Sequence, residues 1–108
     1  MHPKSVQKLK RRIQTLQARM ADVGPVMRGS VVRLGTTCGH PRCRCARGDK
    51  HLQTYFSLNR DGKTVLMFLG KSREVEARRY VGNYRRLLAL AEEITTVMME
   101  LVKQKDFV

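Results

Sequence analysis

At 108 residues the chain is sized for one domain with a modest core, and three Tyr, three Phe and no Trp leave that core short of its largest apolar contributors. Its 22 Lys and Arg against 9 Asp and Glu give a formal net charge of +13, a field that favours polyanions, most simply nucleic acid. The absence of a signal-length apolar run, of the ~20 apolar residues a membrane span needs, and of an even cysteine count argues against a secreted disulfide scaffold or a membrane protein. A cytoplasmic protein with no membrane partner is expected.

The charge is uneven along the chain. Residues 1–91 hold 20 basic and 5 acidic side chains, whereas residues 92–108 hold 2 and 4. The first segment, residues 1–24, places Val6, Leu9, Ile13, Leu16, Met20 and Val23 at alternating spacings of three and four, a heptad seam flanked by Lys8, Lys10, Arg11, Arg12 and Arg19. Gly24-Pro25 is the expected stop. So short a helix does not stand alone in water and must dock on something.

Residues 28–70 form the next unit, basic and cysteine-rich. Val31, Val32 and Leu34 predict a short strand. All three cysteines and two of the three histidines then fall within "TTCGHPRCRCARGDKH", residues 36–51. Thiolates and imidazoles bind zinc tetrahedrally, so a structural site needs four of them at one point. Cys38, Cys43 and Cys45 supply three, and the fourth is His51, which has more reach, or His40 inside the turn. Arg33, Arg42, Arg44, Arg47 and Lys50 flank the group and lower its thiolate pKa values. Covalent catalysis would also require a base, an orienting group and an enclosed pocket. Cys38, His51 and Asp49 could be named for such roles, but a chain this short has little room for a pocket, so neither an enzyme nor a small-molecule substrate is expected.

Two strands follow, about 53–59 and 64–69, around Asp61-Gly62, a dipeptide that tolerates the positive φ angles of a tight hairpin turn. The run Val65-Leu66-Met67-Phe68-Leu69 is apolar in both alternations, which predicts cover on both faces. Tyr55, Phe56 and Phe68 could stack bases, but alternation favours their burial in a core.

The last segment predicts a long helix over 73–104, with Ser72 as N-cap and Glu74 and Glu76 suited to its positive start. Its seam is Tyr80, Tyr84, Leu87, Ala91, Ile94, Met98 and Leu101, widened by Val81, Leu88, Leu90, Val97 and Met99. Together these elements predict an α+β single domain, 1–108: a small Cys/His knuckle and a β-hairpin of two to three strands between two heptad-patterned helices. The helices form a helical hairpin or coiled coil, and homodimerisation through them is expected.

The run Cys38-Gly39-His40-Pro41-Arg42-Cys43-Arg44-Cys45, with Gly48 and His51, then Tyr55, Asp61-Gly62-Lys63 and Asn83-Tyr84-Arg85-Arg86, resembles a family of short prokaryotic proteins classed as a domain of unknown function. The resemblance spans about residues 27–102, and C-G-x-P-x-C-x-C is its distinctive part. Family members carry His-Gly-Pro-Tyr after the cysteines, where this chain has Leu52-Gln53-Thr54 between His51 and Tyr55, and more often Lys in place of His40. The resemblance implies His51 as the fourth ligand and an association with mobile elements, and it implies no established activity.

The expected function is therefore a small basic zinc-stabilised nucleic-acid-binding protein, accessory to a DNA or RNA transaction of a mobile element. Arg42, Arg44, Arg47, Lys50, Arg60, Lys63, Lys71, Arg73, Arg78, Arg79, Arg85 and Arg86 would hold duplex or structured nucleic acid, chiefly by its phosphates. The alternative is a coiled-coil assembly or adaptor module binding an acidic protein partner.

Overall fold

A computed structural model describes residues 5–36, 39–42, 48 and 51–105. The elements are α1 (Val6–Ala21), β1 (Ser30–Thr36), β2 (His51–Arg60), β3 (Lys63–Phe68) and α2 (Gly70–Val102). The protein is α+β, with a three-stranded antiparallel sheet between two helices in chain order. It divides into two compact units, one formed by Met27–Gly82 and the other by Met1–Val26 with Asn83–Val108. No described helix is long and apolar enough to cross a membrane.

In the first unit the strand order is β1-β2-β3, so β2 is central. Asp61 and Gly62 both take positive φ, 53° and 76°, and close the hairpin expected there. The register runs from Arg60↔Lys63 to Tyr55↔Phe68 on one side of β2, and from Ser30↔Ser57 to Thr36↔His51 on the other. Alternation turns Phe56, Leu58 and Val31 to one face, where Phe56 joins Leu69, Ala77 and Val81, with Met27, Val31 and Leu58 packed around them.

Two expectations need correcting in this unit. The long helix begins at Gly70, not after Ser72, which lies inside the first turn. Leu69 is buried and its N–H donates to the Thr54 carbonyl at 2.9 Å, and Gly70, at φ 70°, turns the chain directly into α2. Nor is the last strand covered on both faces. It is an edge strand, and Val65, Leu66, Met67 and Phe68 are 45–49% exposed. Of the core cluster, the α2 residues Ala77 and Val81 gather with Phe56 of the central strand.

In the second unit Ser5 caps α1, its hydroxyl accepting from the Lys8 N–H at 3.1 Å. Leu9, Ile13 and Leu16 are buried, while Val6, Met20 and Val23 of the same seam are half-buried. Leu9 and Ile13 cluster with Leu101, and Val6, Ile94, Val97 and Met98 pack against them. Arg12 meets Glu93 at 3.3 Å, and Asn83, itself buried, donates from Nδ2 to the Pro25 carbonyl at 2.8 Å. The two helices therefore run antiparallel. The first ends at Ala21 rather than at Gly24-Pro25, with Asp22 as its cap and the chain tightening after it, where the Val23 N–H donates to the Met20 carbonyl three residues back at 3.2 Å.

Candidate nucleic-acid interface

The expected metal ligands divide sharply. Cys38, Cys43 and Cys45 lie outside the described residues, as do Arg44, Arg47 and Lys50. His51 is exposed at the head of β2, and its backbone pairs with that of Thr36. That pairing holds the two ends of the cysteine segment side by side, which fixes where residues 37–50 join the sheet. His40 and Arg42 are described and exposed. Among the described residues no three His, Cys, Asp or Glu side chains group as a metal site.

The cations of the first unit gather in three places. At the hairpin end Arg60 and Lys63 are register partners across the turn, and Arg28 reaches the same end by donating from Nη1 to the Asn59 carbonyl at 3.1 Å. Arg28 was not among the expected contacts. It lies in no motif, and only the pairing of β1 beside β2 brings it there.

The second place is a cleft of about 350 Å³ lined by Arg33, Leu52, Gln53, Thr54, Gly70 and Lys71. Glu74 organises this side. Its carboxylate accepts from Arg33 at 3.4 Å, from Arg78 at 3.3 Å and from the Thr54 hydroxyl at 3.2 Å. The i,i+4 pair with Arg78 was visible in sequence, whereas the link to Arg33 depends on strand placement. Arg78 thus shares the Glu74 carboxylate with Arg33 while about half of its side chain stays exposed.

At the third place Arg79 donates to Glu76 at 2.9 Å and lies 5.3 Å over the Tyr80 ring, a cation–π arrangement. Arg73 lines an apolar groove with Glu76, Met27, Met67, Leu69, Ala77 and Tyr80. The last two expected contacts, Arg85 and Arg86, are exposed and belong to the second unit.

Hydrogen bonding from Arg33 holds the Glu74 carboxyl below its ordinary value of 4.5, against the opposing effect of partial burial, with Arg78 and Thr54 adding to the lowering. A carboxylate with a depressed folded-state pKa stabilises the fold above its unfolded pKa, and that contribution is lost as pH falls through the folded value. Melting followed by circular dichroism is therefore expected to show a midpoint that drops on acidification below about pH 4.5. Glu74→Gln should be less stable at neutral pH and lose less on acidification. Parallel pH profiles for the two proteins would refute this role.

A family described as a domain of unknown function (DUF6788) matches residues 6–79. The chain belongs to this family. The DUF6788 match takes in α1, the whole sheet, the cysteine segment and the opening turns of α2, so it begins and ends earlier than the stretch whose motifs suggested the resemblance. It also includes Glu74 and both arginines it holds, Arg33 and Arg78. No curated protein and no solved structure matches the DUF6788 chain.

Proposed function

We propose that this DUF6788 protein is a small basic nucleic-acid-binding protein, cytoplasmic, and accessory to a DNA or RNA transaction of a mobile element. It is a binding protein rather than an enzyme, and its knuckle is held by zinc through Cys38, Cys43, Cys45 and His51. The observation that carries the reading is the distribution of charge in residues 27–82. Twelve basic side chains stand against four acidic ones there. Two of those four, Glu74 and Glu76, already serve Arg33, Arg78 and Arg79. The hairpin end is left with Arg28, Arg60 and Lys63 against Asp61 alone. Guanidinium groups in such a setting suit phosphate because they donate two parallel hydrogen bonds and release condensed counterions on contact.

Electrophoretic mobility measured against salt tests the reading on the full chain. With three to five phosphate contacts, affinity should fall by about 20- to 500-fold between 50 and 200 mM salt. Arg60→Gln with Lys63→Gln should weaken binding and flatten that dependence. Failure to shift either duplex or single strands at low salt would refute it. Elemental analysis of the same material should find about one zinc per chain if four ligands close a structural site. A protein without metal would move the three cysteines to a packing role and leave the charge argument standing.

The homodimer is proposed on separate ground. Leu88, Met99 and Val102 of α2 remain about half exposed, which is apolar surface a second copy would cover.

A further inference from the structure

We propose that the face of the sheet opposite Phe56 is a platform for a single strand of nucleic acid, whose unpaired bases stack on Phe68 and Tyr55. The proposal rests on the nucleic-acid reading above and narrows it, since the expected ligand there included duplex.

Strand alternation sends Phe56 and its neighbours towards α2 and the other set of side chains to the opposite face. On that face the register Val32↔Tyr55↔Phe68 forms a row across all three strands. The Tyr55 and Phe68 rings meet edge to face, centroids 5.8 Å apart and planes at 71°, so each fixes the other's orientation. Phe68 is nevertheless 49% exposed, and Leu66, one step along the same face, is 48% exposed. Half of an oriented phenyl ring therefore stands in solvent.

Charge decides what could cover it. The rows of this face, from Val32 and Leu34 through Gln53, Tyr55 and Ser57 to Leu66 and Phe68, contain no ionised side chain. Cations gather at the hairpin end instead, where Arg28 donates to the Asn59 carbonyl and Arg60 pairs with Lys63, these last two in the alternation of Phe56 and so at the rim of this face rather than in its rows. An uncharged aromatic surface beside a cationic rim complements a ligand that offers flat apolar faces and a phosphate at every residue. That combination is a nucleic-acid strand with its bases unpaired, because in duplex the base faces are taken up in the stack. Residues 27–82 of a second copy would bring a further twelve basic side chains against four acidic ones, which opposes pairing of these faces. Stacking on an aromatic ring engages the base face and not the sugar, so DNA and RNA strands should bind alike.

Fluorescence anisotropy on the full chain, with labelled dT12, rU12 and a 12-base-pair duplex at fixed salt, tests the proposal. Both single strands should bind at least tenfold more tightly than the duplex. Phe68→Leu keeps an apolar side chain but removes the ring, and should weaken dT12 binding about 5- to 150-fold with the salt slope unchanged. Arg60→Gln with Lys63→Gln should weaken every probe and lower the slope. Photocrosslinking of a 4-thiothymidine strand to unaltered protein gives a readout independent of any variant's folding, with adducts expected on the peptide holding Tyr55 or Phe68. Duplex bound as tightly as dT12, adducts confined to other peptides, or poly-glutamate competing as well as dT12 would each overturn the platform. Of these, tight duplex binding would leave the broader nucleic-acid reading intact, whereas no binding of any probe would remove both.

Discussion

Phe56→Ala should lower the unfolding free energy by about 3–5 kcal/mol, which is a large part of the roughly 5–16 kcal/mol a chain of this length commands. The ring is 8% exposed and sits among Leu69, Ala77 and Val81, with Met27, Val31 and Leu58 around it. It is the one phenyl group in that cluster, so its removal leaves a hole that neighbours on two strands, their flanking turns and a helix fill only in part. Met67→Ala, on the half-exposed edge strand, should cost less, about 1 kcal/mol, because nearly half of that residue stays in water. Urea denaturation of both variants at neutral pH checks the contrast. A Phe56→Ala loss no larger than that of Met67→Ala would mean the ring does not hold the sheet to α2.

Gly29→Ala is the second large effect. A Cβ at Gly29 would lie 2.5 Å from Phe56 Cζ and 2.6 Å from the Ser57 carbonyl oxygen, and φ there is 152°, a conformation that side chains rarely adopt. Overpacking and backbone strain together should cost about 2–4 kcal/mol. The two sites are coupled through one ring. In the Phe56→Ala background half of the clash disappears while the carbonyl stays, so the second substitution should cost about 1 kcal/mol less than it does alone. A double-mutant cycle that closes additively would place the Gly29 strain wholly on the backbone.

The helices were the most legible part of the chain because their signal is local. Every residue of the α2 seam from Tyr80 to Leu101 is at least half-buried, and the α1 seam buries Leu9, Ile13 and Leu16 at its centre. The Asp61-Gly62 turn was equally plain, since the two residues carry the φ preference themselves. The errors arose where a distant element decides the outcome. The apolar run at 65–69 reads as doubly covered until the strand order makes it an edge. Ser72 is a sound local cap, overridden by the turn at Gly70. Asn83 reads as a surface polar residue of a helix, yet it is buried because the Pro25 carbonyl, 58 residues away, accepts its hydrogen bond.

The site was legible to a different degree. Composition pointed to cations, and the fold sorts them into some bound by Glu74 and Glu76 and others gathered at the hairpin end. Phe56 follows the expectation of core burial. Phe68 departs from it, for the same reason the edge strand does. The expected zinc ligands Cys38, Cys43 and Cys45 lie outside the described residues.

The antiparallel pairing of α1 with the far half of α2 also orders events during synthesis. Arg12 and Glu93 are separated by 81 residues, whereas the sheet closes through a hairpin and one longer loop between neighbouring strands. At about 5–20 residues per second a ribosome needs roughly 4–16 s to extend from the end of α1 to Leu101. Through that interval the sheet can form, while Leu9, Ile13 and Leu16 have no stretch of their own chain to lie against. What that nascent stripe meets first is a chaperone, the ribosome surface or a neighbouring chain.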